Sequence, residues 1–139
     1  MTVLATMAAA VLLTGAAQGG WTWTLYEDGP LVLANEIPDT PQLKAVLECR
    51  PGAGVARLDL FGPTGAGIAT ITSGPATATG ESESSADHQS VALRTDHPVF
   101  AQFLVSGALD VAVAGQHQAV AVPQIHLAKL RRFAELCSG

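Results

Sequence analysis

Residues 43–60 read LKAVLECRPGAGVARLDL, and the fold class turns on this stretch. In an extended chain successive side chains point to opposite faces, so Leu43, Ala45, Leu47 and Cys49 share one side while Lys44, Val46, Glu48 and Arg50 share the other. Pro51-Gly52-Ala53-Gly54 is turn chemistry, after which Ala56, Leu58 and Leu60 alternate against Val55, Arg57 and Asp59. The stretch predicts an antiparallel hairpin with one buried face, and Cys49 lies on that face.

The same period of two recurs on either side. Trp21, Trp23 and Leu25 line one face of a strand that stops at Glu27-Asp28-Gly29-Pro30, and Leu31 to Ala34 offers a short second strand. Ile68 to Thr72 is a β-branched run, Val91 to Arg94 resumes a strand, and Leu109 to Val113 with Val120 and Val122 reads as a second hairpin. Two helices interrupt the pattern. Pro98 to Ser106 follows the capping residues Thr95-Asp96-His97 and ends at Gly107, and the chain after Pro123 carries Leu127, Leu130, Phe133, Ala134 and Cys137 along one stripe. These signals predict a mainly β fold, an antiparallel β-sandwich or curved sheet of about six to eight strands with two short helices. The alternative is an α+β domain in which 91–136 forms a strand–helix–hairpin–helix unit over a smaller sheet.

Length and composition set the wider frame. The chain has 139 residues and a net charge of −5, and its apolar segment Val3 to Ala17 followed by Gln18-Gly19-Gly20 reads as a signal peptide over 1–17. That segment is shorter than the roughly 20 apolar residues a membrane span needs, and no second long apolar run follows. One β-rich domain over 18–139 is expected, periplasmic or secreted, with no membrane span after leader removal. Apart from Lys129, Arg131 and Arg132 the cations are dispersed, which argues against a nucleic-acid partner. An export signal implies an oxidising compartment, so Cys49 and Cys137, both on inward faces, are expected to form a disulfide; two buried thiols are the other reading.

From Gly74 to Ser90 the chain contains no Leu, Ile, Val or Phe and is rich in Thr, Glu, Ser and Gly. It reads as a polar loop or long hairpin tip at about 74–90, mobile and dispensable for folding, with Glu81, Glu83 and Asp87 as a binding loop for a basic partner.

Motifs for catalysis are missing. His88, His97, His117 and His126 have no His-x-x-x-His spacing, so no metal site is expected, and no Gly-x-Ser-x-Gly marks a nucleophile. Gly65-Ala66-Gly67 runs into the β-favouring Ile68-Ala69-Thr70-Ile71 rather than a helix N-terminus, so no dinucleotide or other cofactor is expected. Trp21 and Trp23 suit core burial better than an exposed sugar platform. The leading expectation is a noncatalytic binding or accessory protein of the cell envelope whose partner is a protein or cell-surface component. The alternatives are a secreted inhibitor that inserts the 74–90 segment, or a small hydrolase using Asp96 or His97 near the start of the first helix.

With its apolar leader, its opening Trp21-Thr22-Trp23 strand, the strand ending Val46-Leu47-Glu48-Cys49 and the closing Phe133-Ala134-Glu135-Leu136-Cys137, the chain resembles small exported proteobacterial proteins. It is similar to the invasion-associated locus B family in being a leader-bearing, β-rich domain with disulfide-capable cysteines. The resemblance implies compartment and fold class, and it carries over no functional residue.

Overall fold

A computed structural model describes residues 20–62 and 65–139; the leader expected over 1–17 lies outside them. The polypeptide runs β1 (Thr22–Tyr26), β2 (Leu31–Glu36), β3 (Leu43–Cys49), β4 (Val55–Phe61), β5 (Gly67–Ser73), β6 (Ala76–Ser84), β7 (His88–Arg94), α1 (Pro98–Ser106), β8 (Ala108–Val113), β9 (Gln116–Ala121) and α2 (Leu127–Ser138). A 3-10 turn, Gln124–His126, leads into α2. The fold is mainly β with two short helices. Its nine strands form one antiparallel sheet in the order β1-β2-β3-β4-β7-β6-β5-β8-β9, curled into a half-barrel.

The hairpin that opened the sequence reading is β3–β4, paired from Ala45↔Leu60 to Glu48↔Arg57. Its inward row packs into a core that includes Leu33, Leu47, Leu58, Leu60, Phe100, Phe103, Leu130 and Phe133, all essentially inaccessible. Burying each such side chain contributes roughly 1.5–3 kcal/mol.

The two helices lie across the same end of the curled sheet. α1 joins the Arg94 end of β7 to the Ala108 end of β8, and α2 finishes beside Cys49 at the end of β3. His97 caps α1, its Nδ1 accepting the Val99 amide at 3.0 Å, and Pro98 occupies the first helical position. Gly107 ends the helix at φ 72°, where a Cβ would collide with the Val122 carbonyl, so only glycine fits. Cys137 of α2 is bonded to Cys49 across a Cα–Cα distance of 5.8 Å, within the span a disulfide bridges. The β3–β4 turn adds two main-chain bonds to the same helix end, Gly52 N to Leu136 O at 3.0 Å and Gly54 N to Cys137 O at 2.8 Å.

The segment 74–90 corrects the sequence reading. Instead of a polar loop, Ala76–Ser84 is a strand, paired with β5 from Ser73↔Ala76 to Gly67↔Ser82, and a short turn then enters β7. Its alternation uses no large apolar residue: Thr77, Thr79, Glu81 and Glu83 face out, while Ala76, Ala78, Gly80 and Ser82 face in. Small inward residues suffice because α1 packs against β5 and β6. The backbone entropy cost of ordering the segment is met by a seven-pair ladder rather than by side-chain burial.

The two outermost strands come together without pairing. Trp23 of β1 is buried and its indole Nε1 donates to Ala121 O of β9 at 3.1 Å, linking the two edges of the half-barrel. Trp21 is half-buried, with the Lys44 ammonium 4.3 Å above its ring.

Candidate functional site

The end of the half-barrel opposite the helices is its mouth. There, inward rows that are apolar elsewhere finish in carboxamides: Gln89 precedes Val91 and Leu93 on β7, and Gln116 and Gln118 precede Val120 on β9. Together with Gly65, Val113 and His117 they line a cavity of about 190 Å³. Gln118 reaches across the mouth, its Nε2 donating to Phe61 O of β4 at 3.1 Å. Gly65 passes close enough that a Cβ there would press on Val113 and on Gln89 Oε1, at 3.2 and 3.3 Å.

Gln89 decides what kind of cavity this is. Among the described residues the buried polar side chains are Asp59, Ser73, Ser82 and Gln89. Asp59 accepts from Arg57 Nε at 3.1 Å and Ser90 Oγ at 2.6 Å. Ser73 donates to Ala108 O at 2.6 Å, and Ser82 donates to Gly65 O at 2.7 Å. Gln89 as a whole residue is only 5% exposed and lines the cavity; among the described residues no fully buried side-chain nitrogen or oxygen is left without a partner, so its amide is reachable where it opens onto the cavity. Polar groups at such a depth are almost always hydrogen-bonded, and an amide that opens onto a cavity can take a water or a ligand group as its partner. The lining amides can each donate and accept, and among the described residues no carboxylate, lysine or arginine lines the cavity. The chemistry of the mouth is uncharged hydrogen bonding over a small apolar wall formed by Val113.

The residues singled out from sequence sit elsewhere. Glu81 and Glu83 are exposed on the outer face of β6, and Asp87 in the β6–β7 turn bonds His88 Nδ1 at 2.8 Å. Asp96 and His97 are neighbours in sequence with separate structural tasks. Arg94 bonds both carboxylate oxygens of Asp96, at 2.9 and 2.8 Å, and this holds the carboxyl below its usual range. His97 Nδ1 is committed to the helix cap. They also line different surface clefts, Asp96 beside Ser138 and His97 between β6 and β7.

The histidines are dispersed as well. His117 Nδ1 lies 2.8 Å from Asp110, and His126 sits beside Lys129, whose ammonium donates to Trp23 O at 2.7 Å. Burial, then the Lys129 charge, pushes the His126 pKa down. No cluster of three or more His, Cys, Asp or Glu residues that could hold a metal occurs among the described residues. No helix of the described residues is long and apolar enough to cross a membrane.

No protein-family model, curated protein or solved structure matches this chain. The mouth residues escape a sequence reading because carboxamides on a strand match no catalytic or metal-ligand motif. A usable signal existed: Gln116 and Gln118 continue the inward row of Val120 and Val122, at positions where a half-buried strand normally carries apolar residues.

Proposed function

We propose that this protein is a noncatalytic binding or accessory protein of the cell envelope that takes an uncharged polar group in the mouth of its half-barrel. The observation that carries the reading is Gln89, a residue 5% exposed that lines a cavity together with the further amides of Gln116 and Gln118. An amide set at the mouth of a cavity can give its hydrogen bonds to a ligand, and a buried amide left unpaired costs about 1–3 kcal/mol, so a bound donor or acceptor is favoured there. The periplasmic or secreted setting is supported by the Cys49–Cys137 disulfide, because such bonds persist in oxidising compartments. The partner that presents the uncharged group is a protein or a cell-surface component.

The test is a titration of ¹⁵N-labelled protein with acetamide and glucose, and separately with acetate and methylammonium. The side-chain amide signals of Gln89, Gln116 and Gln118 should move with the uncharged probes and stay still with the ions, and Gln89→Leu should abolish the response. Equal shifts with the ions, or an unchanged response in Gln89→Leu, would overturn the reading.

A further inference from the structure

We infer that the group received by the mouth is the uncharged side chain of an extended peptide, which adds as a further strand to the free edge of β9. The inference rests on reading the mouth as a binding site and names its partner. It starts from the β8–β9 turn. Ala114 and Gly115 have φ values of 51° and 79°, as a two-residue type I′ hairpin requires, so Val113 and Gln116 form the hydrogen-bonded pair that closes it. Pairs alternate along an antiparallel ladder, so Val111↔Gln118 and Leu109↔Val120 bond to each other while His117, Ala119 and Ala121 direct their main-chain groups away from β8. The bond from Trp23 to Ala121 O fits that assignment. The outward N–H and C=O of His117 and Ala119 meet no partner among the described residues.

Proteins usually blunt such an edge with a lysine, a proline or a bulge. Residues 116–121 of β9, Gln-His-Gln-Ala-Val-Ala, contain no lysine, arginine, carboxylate or proline, and their pairing with β8 has no register shift. The opposite edge is partly covered: α2 packs on β1, and Lys129 takes the Trp23 carbonyl. Short of Ala121, whose carbonyl Trp23 takes, the β9 edge is unprotected among the described residues, and β9 is the strand that lines the mouth. An added strand would therefore pair its backbone with His117 and Ala119 and turn alternate side chains toward Gln118 and Gln89. Main-chain bonds would supply affinity, and the amide-lined cavity would select uncharged polar side chains over charged ones.

The probe is the blocked peptide acetyl-(Thr-Gln)₃-amide, with a counterpart N-methylated at alternate residues. The unmethylated peptide should slow hydrogen exchange at the His117 and Ala119 amides and shift the Gln89 side-chain signal, and N-methylation should weaken binding at least tenfold. Ala119→Pro removes an N–H that the β8–β9 ladder does not use, so it should keep the far-UV spectrum and the acetamide response while losing peptide binding by a similar factor. Equal binding of the two peptides, or full-strength peptide binding by Ala119→Pro, overturns the strand-addition inference. If acetamide still shifts Gln89 in that case, the mouth reading stands alone. Concentration-dependent protection of His117 and Ala119 without peptide would also overturn it, because the edge would then pair with a second copy of the chain. The N-methylated peptide needs no variant, so the inference stays testable if Ala119→Pro fails to fold.

Discussion

Reducing the Cys49–Cys137 bridge should cost this fold a large share of its stability. The bridge closes a loop with a sequence separation of 88, so it constrains most of the chain in the unfolded state. The loop-closure relation gives about 4–5 kcal/mol for a loop of that length at 25 °C. Domains of this size are stable by roughly 5–15 kcal/mol, so the reduced protein should be marginal or only partly folded. The native state limits the damage, because Gly52 and Gly54 still donate to Leu136 and Cys137 and the Phe133 stripe still packs. Urea unfolding with and without a phosphine reductant, repeated on Cys49→Ala, Cys137→Ala and the double variant, measures the effect. All three variants should fall together near the reduced protein, since each removes the same bond. A loss below about 1 kcal/mol, or a double variant clearly weaker than either single one, would refute the loop-entropy argument.

Other consequences can be checked on the same footing. Gly107→Ala should lower stability by about 2–4 kcal/mol, because a Cβ at that left-handed position meets the Val122 carbonyl; thermal melting reads this directly. His126 is held neutral by burial and by Lys129, so its folded pKa lies below the ordinary 6.5 and the unfolded chain binds more protons. Its contribution is therefore present above pH 6.5 and is lost as pH falls through the depressed folded value; His126→Gln should flatten the melting-temperature profile in that window. Replacing residues 75–87 with a short Gly-Ser linker should abolish cooperative unfolding, since it removes β6 and uncouples β5 from β7; an unchanged melt would contradict the sheet order.

The fold was largely legible because most strands and both helices announce themselves by period. Thr95 to Gly107 carried its whole cap, first-turn proline and glycine stop in sequence, and α1 forms over those residues. The inward position of Cys49 followed from a strand of seven residues, and the bridge to Cys137 joins two such inward positions. What escaped was β6. Hydrophobic periodicity finds a strand only when its inward residues are large, and Ala76, Ala78, Gly80 and Ser82 are small because α1 packs against the face they form. Missing β6 also hid the site: with 74–90 read as a loop, Gln89 had no face to point from, and its place in one row with Val91 and Leu93 could not be seen.

The helices explain why the half-barrel has a mouth at all. A curled sheet of nine strands encloses more inward surface than its own side chains fill, and two helices of nine and twelve residues supply the missing apolar volume. Both helices are confined to one end by their connections: α1 spans from Arg94 to Ala108, and α2 is pinned to Cys49 by the disulfide. At the other end the inward residues have no helix to meet. An apolar row there would face water, so a stable protein needs polar side chains at Gln89, Gln116 and Gln118 even without a ligand. At the more exposed Gln116 and Gln118 fold stability alone would be served equally by charged residues, which solvate more strongly and discourage aggregation at an edge. The choice of three uncharged amides around one cavity, one of them on a residue only 5% exposed, is the part that stability does not require, and there the binding reading has its footing.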